Sequence, residues 1–197
     1  MAAVNWHGLE LETAPGRVMT PQPATEALVD AALANIDGRP VTVADVGTGS
    51  GAIAIAIALA APQADVWATD INRDAVALAR RNAERYGLGD RVHVRFGDLL
   101  EPVGKQVDVV VANLPYLPVH LRSEPEYRHY DSEPASAIFA PGDGLGPYRR
   151  LLAACREGRL RSPGGRVLIQ FHRDVLAADC WELERLRERL EHVALAA

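Results

Sequence analysis

Residues 41–61 read VTVADVGTGSGAIAIAIALAA, and this stretch decides the fold class. The apolar run 41–46 predicts a buried strand, and the long, alanine-rich run 51–61 predicts a helix. Three glycines stand at alternating positions in the turn between them: Gly47, Gly49 and Gly51. Glycines allow a tight turn and let a ligand approach the backbone without a Cβ atom in the way. The first amides of the helix would then face that ligand.

The alternation of strand and helix continues outward from this stretch. Further strands are predicted at 64–70, 91–96, 106–113 and 165–171, helices at 24–35, 74–86, 147–158 and 180–193, and irregular chain at 115–143. This order predicts an α/β, Rossmann-like, doubly wound and mainly parallel sheet with helices on both faces. We expect an N-terminal extension and lead-in segment over 1–23 and a single domain over 24–197. Ligands of such sheets bind at the carboxyl ends of the strands, where strand order reverses.

Composition and charge exclude several classes of protein. The formal net charge of -5 does not favour general binding to nucleic-acid phosphates. The first 16 residues lack the basic and apolar regions of a signal peptide. The most apolar helix, 52–61, has half the roughly 20 residues that cross a bilayer. We therefore expect a cytoplasmic protein with no membrane contact, in which Cys155 and Cys180 are buried free thiols. No histidine pair has metal-ligand spacing, so no metal site is predicted.

Acidic residues end two of the predicted strands. Asp70 follows the second strand and suits the two hydroxyls of a ribose, and Asp98 follows the third and suits an adenine amino group. Together with the glycines they would line one cleft. The pattern Gly47-x-Gly49-x-x-Ala52 alone also fits a dinucleotide fingerprint, so an NAD-dependent oxidoreductase stays open. Nothing after the fourth strand indicates hydride transfer.

The order of four motifs resembles the class I methyltransferases that use S-adenosylmethionine: DVGTGSGAIAIAIA, WATDIN, FGDLL and VVANLPY. The resemblance implies S-adenosylmethionine as cofactor and S-adenosylhomocysteine as product. The cofactor-binding residues that it implies are Asp45, Gly47, Thr48, Gly49, Gly51, Asp70, Ile71, Asp98, Leu99 and Asn113. Among them, Asp45, Gly47 and Gly49 would shape the site for the methionine part. Asp70 would hold the ribose, Ile71 would cover the adenine, and Asp98 would form a hydrogen bond to it.

The motif Asn113-Leu114-Pro115-Tyr116 is the predicted catalytic set. An amide nitrogen is a poor nucleophile, so a site that methylates one must orient its lone pair and accept hydrogen bonds from its N–H groups. The Asn113 side-chain oxygen and the Leu114 carbonyl are uncharged acceptors of this kind. Pro115 restricts Leu114 to an extended conformation, and Tyr116 offers a flat face for a planar amide or base.

Two methyltransferase families end this strand in similar ways. Asn-Leu-Pro-Tyr as written resembles the rRNA adenine dimethyltransferases, whereas the release-factor glutamine methyltransferases more usually have Asn-Pro-Pro-Tyr. Two longer segments, SEPASAIFAPGDGLGPYRRLL (132–152) and the lead-in segment GRVMTPQPATEALVDAAL (16–33), resemble the glutamine family. Gln22 and Ala24 stand where that family usually has Arg and Glu. The glutamine family is the favoured interpretation.

This resemblance implies N-methylation of a protein glutamine side chain, with a release-factor-like protein as substrate. Members of the family have a helical N-terminal domain and closing strands after the last helix, and we expect both to be missing here. An activating partner subunit is therefore a further expectation. Two alternatives stay open: methylation of the exocyclic amino group of RNA adenine, and a catalytically silent cofactor-binding or scaffold protein.

Weaker signals concern the surface. Six arginines crowd one stretch: Arg149, Arg150, Arg156, Arg159, Arg161 and Arg166. We expect a solvated helix face there, with an RNA-facing patch as the alternative. In the loop after the catalytic motif, His120 and His129 are candidates for the substrate mouth, and Tyr127 and Tyr130 for a lid that excludes water.

Overall fold

Strands and helices alternate along the chain in a computed structural model that describes residues 2–36, 38–161, 164–171 and 193–196. The strands are β1 (Ala2–Trp6), β2 (Leu9–Thr13), β3 (Val41–Val46), β4 (Ala64–Asp70), β5 (Val92–Phe96), β6 (Val109–Ala112), β7 (Leu117–Pro118), β8 (Phe139–Ala140), β9 (Arg166–Gln170) and β10 (Val193–Ala196). The α-helices of the described residues are α1 (Glu26–Leu33), α2 (Ala52–Ala60), α3 (Arg73–Arg85), α4 (Ala135–Ile138) and α5 (Gly146–Ala154). None of the helices in these ranges is long and apolar enough to cross a membrane.

The central sheet has the strand order β10-β9-β6-β3-β4-β5, and every neighbouring pair is parallel. The chain leaves β3 toward β4 and β5 and then returns to the other side for β6, so strand order reverses at β3. In the pairing of β3 with β6, Val46 lies beside Ala112. The glycine loop and the catalytic motif therefore leave the sheet from neighbouring positions on its carboxyl edge.

The two faces of the sheet have separate cores. Val43 and Val111 belong to the core beneath α1, α2 and α3. Ala44 and Val110 belong to the core on the opposite face, which α5 covers. All six residues of β3 are buried, as expected for the centre of a parallel sheet with helices on both faces. The predicted doubly wound α/β class is confirmed.

The predicted strands are confirmed within a few residues at their ends, but two helix boundaries and the C-terminal expectation need correction. The predicted helix 24–35 begins as a 3-10 turn at Pro23–Thr25 before α1. The predicted helix 147–158 ends at Ala154, and Gly158 in the wider turn that follows has a φ of 94°. The chain was expected to lack closing strands, whereas β10 pairs with β9 at the sheet edge. The predicted helix 180–193 lies outside the described residues, apart from Val193 in β10.

The segment 115–143, predicted to be irregular, contains several short elements. β7 pairs in parallel with β8, and two 3-10 turns, Val119–Ser123 and Pro125–Tyr130, lie between them with α4. Gly144 explains how the segment after β8 can pack so closely on the catalytic motif. A Cβ atom on Gly144 would lie 2.0 Å from the Tyr116 carbonyl oxygen, and its φ is 84°.

The N-terminal residues form a β-hairpin that the sequence analysis did not predict. His7 and Gly8, with φ of 48° and 74°, make the two-residue turn between β1 and β2. Asn82 of α3, which is fully buried, fastens the hairpin. Its Oδ1 accepts from the Glu12 amide at 2.9 Å, and its Nδ2 donates to the carbonyls of Glu12 at 3.1 Å and Ser50 at 2.8 Å. Asn82 thus joins the hairpin to the glycine loop.

Candidate functional site

Two adjoining cavities open at the carboxyl edge of the sheet. The glycine-loop cavity, of about 180 Å³, is lined by nine of the predicted residues: Gly47, Gly49, Asp70, Ile71, Asp98, Leu99, Asn113, Leu114 and Pro115. The Asn113 cavity, of about 510 Å³, is lined by Asn113, Leu114 and Tyr116 together with residues of the lead-in segment, the 115–143 segment and β9. Asn113 and Leu114 line both cavities and therefore stand at their junction.

Asp45 lies behind the glycine loop and not in the cavity. Its carboxylate is fully buried, and Oδ2 accepts from the Thr48 hydroxyl at 2.6 Å and from the Ala54 amide at 3.2 Å. Oδ1 has no hydrogen-bond partner within the described part of the chain. Burial raises the pKa of Asp45 to about 7. Asp45 and Thr48 therefore hold the loop in shape from behind.

Two of the glycines are required by close contacts. A Cβ atom on Gly47 would lie 2.7 Å from Leu114 Cδ2, and one on Gly51 would lie 3.1 Å from Ala79 Cβ on α3. Both have positive φ, 75° and 84°. Gly47 brings the loop against the catalytic motif, whereas Gly51 brings it against a helix and does not line the cavity.

Asp70 is arranged as an acceptor with spare capacity. Oδ2 accepts from the Gly49 amide at 3.0 Å, and Oδ1 accepts from the Asn72 amide at 2.8 Å. Burial raises its pKa. A carboxylate offers about four lone-pair positions, and the neighbouring backbone amides use only part of them, so Asp70 can still accept from a ligand. Beside it, the Ile71 side chain is 68% exposed, which leaves a large apolar surface at the rim of the cavity.

Asp98 and Leu99 form the far end of this cavity. The Leu99 carbonyl accepts from the Thr69 hydroxyl at 2.7 Å, and Leu99 has a φ of 48°. Asp98 forms an ion pair with Arg150 of α5, which also lines the cavity. Val18 and Met19 of the lead-in segment line it as well. Arg150, Val18 and Met19 were not predicted to line this cavity, because nothing in the sequence around them indicates a ligand.

The side chain of Asn113 is fixed by the lead-in segment. Its Nδ2 donates to the Thr25 hydroxyl at 3.1 Å, and Thr25 is buried at the start of α1. Because the amide nitrogen is occupied by Thr25, the Oδ1 atom is the end of the side chain that can accept from a ligand. The role of Thr25 in the site was not predicted, because its partner Asn113 lies 88 residues away in the sequence.

The Leu114 peptide is held by a buried tyrosine. The Leu114 amide donates to the Tyr148 hydroxyl at 2.9 Å, and the hydroxyl lies 2.9 Å from the Gln170 carbonyl and 3.2 Å from the Leu114 carbonyl. Burial raises the pKa of Tyr148, so the hydroxyl keeps its proton. It has one proton to donate, and the Leu114 carbonyl has two lone pairs, so this carbonyl can accept from another donor.

Among the residues that the structure describes, those that line the Asn113 cavity include no Asp, Glu, Lys or Arg. Its polar side chains other than tyrosine are Gln22, Thr25, Asn113, His129 and Gln170. Of the four loop residues singled out in the sequence, His129 and Tyr130 line this cavity, and His120 and Tyr127 are not among its lining residues. The cavity is therefore suited to a neutral polar group between apolar walls.

The arginine stretch is largely engaged with the protein itself. Arg149 pairs with Asp143, Arg150 with Asp98, and Arg161 with Asp108; Arg159 and Arg166 donate to backbone carbonyls. These contacts support the interpretation of a solvated face over that of an RNA-facing patch. Within the described ranges, no group of His, Cys, Asp and Glu side chains could hold a metal ion.

Cys155 is a buried free cysteine, as predicted, whereas Cys180 lies outside the described residues. Burial raises the pKa of the Cys155 thiol to about 12. It packs in the core beneath α5 and takes no part in either cavity.

The parallel sheet, the glycine loop after its central strand and the acids after the next two strands define a class I methyltransferase fold. The chain belongs to the methyltransferase small domain family, whose sequence pattern matches residues 20–126. This membership confirms the predicted class of protein.

Curated relatives carry a more particular name. The chain is 39% identical to a release factor glutamine methyltransferase of Deinococcus radiodurans, over 85% of this chain and 59% of the relative. It is 41% identical to one of Moorella thermoacetica, over 84% of this chain and 58% of the relative. The chain thus spans less than two thirds of the length of these relatives.

Among solved structures, the chain resembles the hMettl16 catalytic domain in complex with a MAT2A 3'UTR hairpin. The TM-score is 0.70 at 18% identity, covering 92% of this chain and 67% of that one. At this level of identity the likeness concerns the fold alone.

Proposed function

We propose that this protein is a methyltransferase that transfers the methyl group of S-adenosylmethionine to a glutamine side-chain amide of a protein. One observation carries the proposal. Asn113, whose amide is fixed by Thr25, and Leu114 line both cavities and so lie at their junction. A methyl donor in the glycine-loop cavity and an amide in the Asn113 cavity would therefore meet at these acceptors.

The glycine-loop cavity fits S-adenosylmethionine, which supplies an activated methyl group on a sulfonium. Gly47 and Gly49 leave room for the methionine part, and the spare lone pairs of Asp70 suit the ribose hydroxyls. The exposed Ile71 side chain suits one face of the adenine, and Asp98 suits its amino group. Asp45, Thr48 and Gly51 would act on the cofactor only through the shape of the loop.

Asn113 and Leu114 would orient the acceptor nitrogen. Asn113 Oδ1 and the Leu114 oxygen accept from its two N–H groups, which directs its lone pair out of the amide plane. Uncharged acceptors hold the neutral amide without drawing in a cation, and Tyr116 offers it a flat face. Positioning of this kind lowers the activation free energy of well-oriented reactions by roughly 7–11 kcal/mol.

The described lining of the Asn113 cavity, which contains no Asp, Glu, Lys or Arg, favours an amide or a base over a charged side chain. The names of the curated relatives favour glutamine in a release factor among these. An activating partner subunit and a cytoplasmic location stay predictions. RNA adenine is the alternative acceptor, because its exocyclic amino group offers the same N–H donors.

The test is the transfer of labelled methyl from S-adenosylmethionine into a cell extract by the native protein and by Asn113→Ala. The variant should be slower by roughly 10²–10³, the effect of removing one hydrogen-bonding group that acts on the transition state. S-adenosylhomocysteine binding, measured by calorimetry, should persist in Asn113→Ala and weaken strongly in Asp70→Asn.

The identity of the labelled product decides between the acceptors. Methylglutamine released by hydrolysis of labelled protein would support the proposal. Label in RNA would establish the adenine alternative instead. Tight binding of S-adenosylhomocysteine without transfer to either acceptor would contradict independent enzymatic activity and favour a scaffold or a protein that needs its partner.

A further inference from the structure

The side-chain amide of Gln170 lies beside that of Asn113 in the wall of the Asn113 cavity. Gln170 is the last residue of β9, and β9 pairs with β6 so that Ile169 lies beside Ala112. Gln170 and Asn113, the residues that follow this pair, therefore leave the carboxyl edge of the sheet next to each other. Both line the cavity.

Within the described residues, the side-chain oxygen of Gln170 lacks the hydrogen bonds that a buried polar atom normally has. Only 8% of the residue is exposed, and its Oε1 atom is buried with no partner in the described part of the chain. The backbone of the same residue is well bonded, since its carbonyl accepts from Tyr148 at 2.9 Å. A buried amide without partners lowers the free energy of unfolding. Its place in a cavity wall leaves these bonding positions available to a ligand.

The two neighbouring amides differ in how firmly they are held. Asn113 is fixed by Thr25, so its oxygen alone is available. Among the described residues, none forms a comparable contact with the Gln170 side chain, so rotation about its last side-chain bond can present either the NH₂ group or the oxygen. Together they offer one fixed acceptor beside a group that both donates and accepts.

We propose that Gln170 binds the substrate by pairing edge to edge with the group that carries the reacting nitrogen. For a glutamine side chain, Gln170 Nε2 donates to the substrate carbonyl oxygen, and Oε1 shares one substrate N–H with the Leu114 carbonyl. The other N–H donates to Asn113. The proposal rests on the proposed function, because it places a neutral amide in this cavity.

Such pairing selects a particular pattern of atoms, an NH₂ group with an acceptor on the adjacent carbon. A glutamate side chain has no N–H for Asn113, and a lysine side chain has no acceptor for Gln170. The amino edge of adenine has the same pattern as a carboxamide. Gln170 therefore discriminates against charged protein side chains and not between glutamine and adenine.

Two variants test the role of Gln170. Gln170→Met removes both polar atoms, and Gln170→Glu keeps the shape but replaces the donor with a second oxygen. Steady-state kinetics with a purified release factor should show kcat/KM lower by roughly 10- to 100-fold in both. The Kd for S-adenosylhomocysteine should stay within about twofold, since Gln170 does not line the glycine-loop cavity. The exposed Gln106, changed to Met, is the matched control and should keep its kcat/KM.

Thermal unfolding separates substrate binding from a structural role. Because the Gln170 side-chain oxygen has no partner among the described residues, Gln170→Met should unfold at the same temperature as the native protein or higher. A lower unfolding temperature, or an unchanged kcat/KM, would overturn the proposal. If the native protein methylates RNA and no protein, the proposed function fails, and the same variants decide the role of Gln170 on RNA. If the native protein methylates neither protein nor RNA, thermal unfolding of Gln170→Met still tests the proposal. An unfolding temperature below that of the native protein would contradict an unbonded Gln170 side chain, and a higher one would support it.

Discussion

The orientation of a single amide depends on a single hydroxyl at the junction of the two cavities. Thr25 accepts from Asn113 Nδ2 and thereby turns Asn113 Oδ1 into the available end. Asn113, the residue proposed to act on the substrate, was predicted from its motif. The residue that orients it was not, because a hydroxyl in the lead-in segment carries no local sign of a contact 88 residues away.

Thr25→Val should therefore impair catalysis while it keeps the shape of the side chain. Without the hydroxyl, the Asn113 amide can rotate, and a poorly oriented acceptor lowers kcat by roughly 10-fold or more. Steady-state methylation assays would measure this. Thr25→Ser, which retains the hydroxyl, is the control and should recover most of the rate; an equally slow Ser variant would show that packing and not the hydrogen bond matters.

Asp45 should make stability depend on pH. Its pKa is about 7 in the folded protein and 3.8 ordinarily, so the folded state holds a proton between these values that the unfolded state has lost. The neutral, buried Asp45 therefore contributes fully to the stability of the folded protein below about pH 4. This contribution, up to about 4 kcal/mol, is lost as pH rises through about 7.

Asp45→Asn stays neutral and removes this contribution. Urea unfolding from about pH 4 to pH 8 should show the native protein losing stability relative to the variant as pH rises. Asp90→Asn, on an exposed residue, is the control and should follow the native curve. Parallel curves for the native protein and Asp45→Asn would contradict the raised pKa.

At the scale of elements, the apolar runs predicted the strands of the central sheet because parallel strands buried on both faces have little other choice of residue. The same reasoning cannot find the N-terminal hairpin. Its turn consists of His7 and Gly8, and histidine is an uncommon residue at positive φ. The alternation of Trp6, Leu9 and Leu11 across this turn was the signal that could have revealed it.

Because Gly144 contacts the catalytic motif, we expect Ala to reduce methyltransferase activity much more at Gly144 than at Gly142. A methyl group on Gly144 would overlap the Tyr116 carbonyl and displace the motif, whereas Gly142 has nothing within 4 Å. Both have positive φ, so Ala strains the backbone at either position by about 1–2 kcal/mol. Gly144→Ala should additionally lower kcat by roughly 10² or more, since a displacement of about 1 Å can have that effect.

Methylation assays on Gly144→Ala and Gly142→Ala would measure the difference directly. S-adenosylhomocysteine binding by both variants would show that each has folded. Similar activities in the two variants would indicate that the catalytic motif does not depend on the contact.

At the scale of the whole molecule, the order of strands and helices predicted a doubly wound parallel sheet with its ligands at the carboxyl edge, and both cavities open there. The strand at which the order reverses, β3, was not predicted. The sequence could not predict which site residues line the cavity and which are buried behind the glycine loop. Asp45, Thr48 and Gly51 belong to the same motif as Gly47 and Gly49, and only the packed structure shows which of them face inward.

Asn82 connects three parts of the molecule, so Asn82→Ala should affect all of them. Loss of its bonds to Glu12 and Ser50 leaves buried backbone groups without partners and should lower the free energy of unfolding by about 2–4 kcal/mol. It should also weaken S-adenosylhomocysteine binding, because Ser50 lies within the glycine loop. Urea unfolding and calorimetry measure the two effects.

Arg81→Ala is the control for this prediction. It removes an exposed ion pair between the same helix and the same hairpin residue, Glu12, and should change stability by less than about 1 kcal/mol. A larger effect for Arg81→Ala than for Asn82→Ala would mean that charge, and not the buried amide, fastens the hairpin.

The fastening of the hairpin by Asn82 also sets an order of events during synthesis on the ribosome. Glu12 emerges 70 residues before its partner, which corresponds to roughly 4–14 s of translation at about 5–20 residues per second. The interval between the synthesis of Thr25 and that of Asn113 is longer, because they are 88 residues apart. The bonds that Asn82 and Asn113 form with the first 25 residues can therefore form only after residues 82 and 113 have been made, so the glycine-loop cavity and the Asn113 cavity are completed only once the middle of the chain has been synthesised.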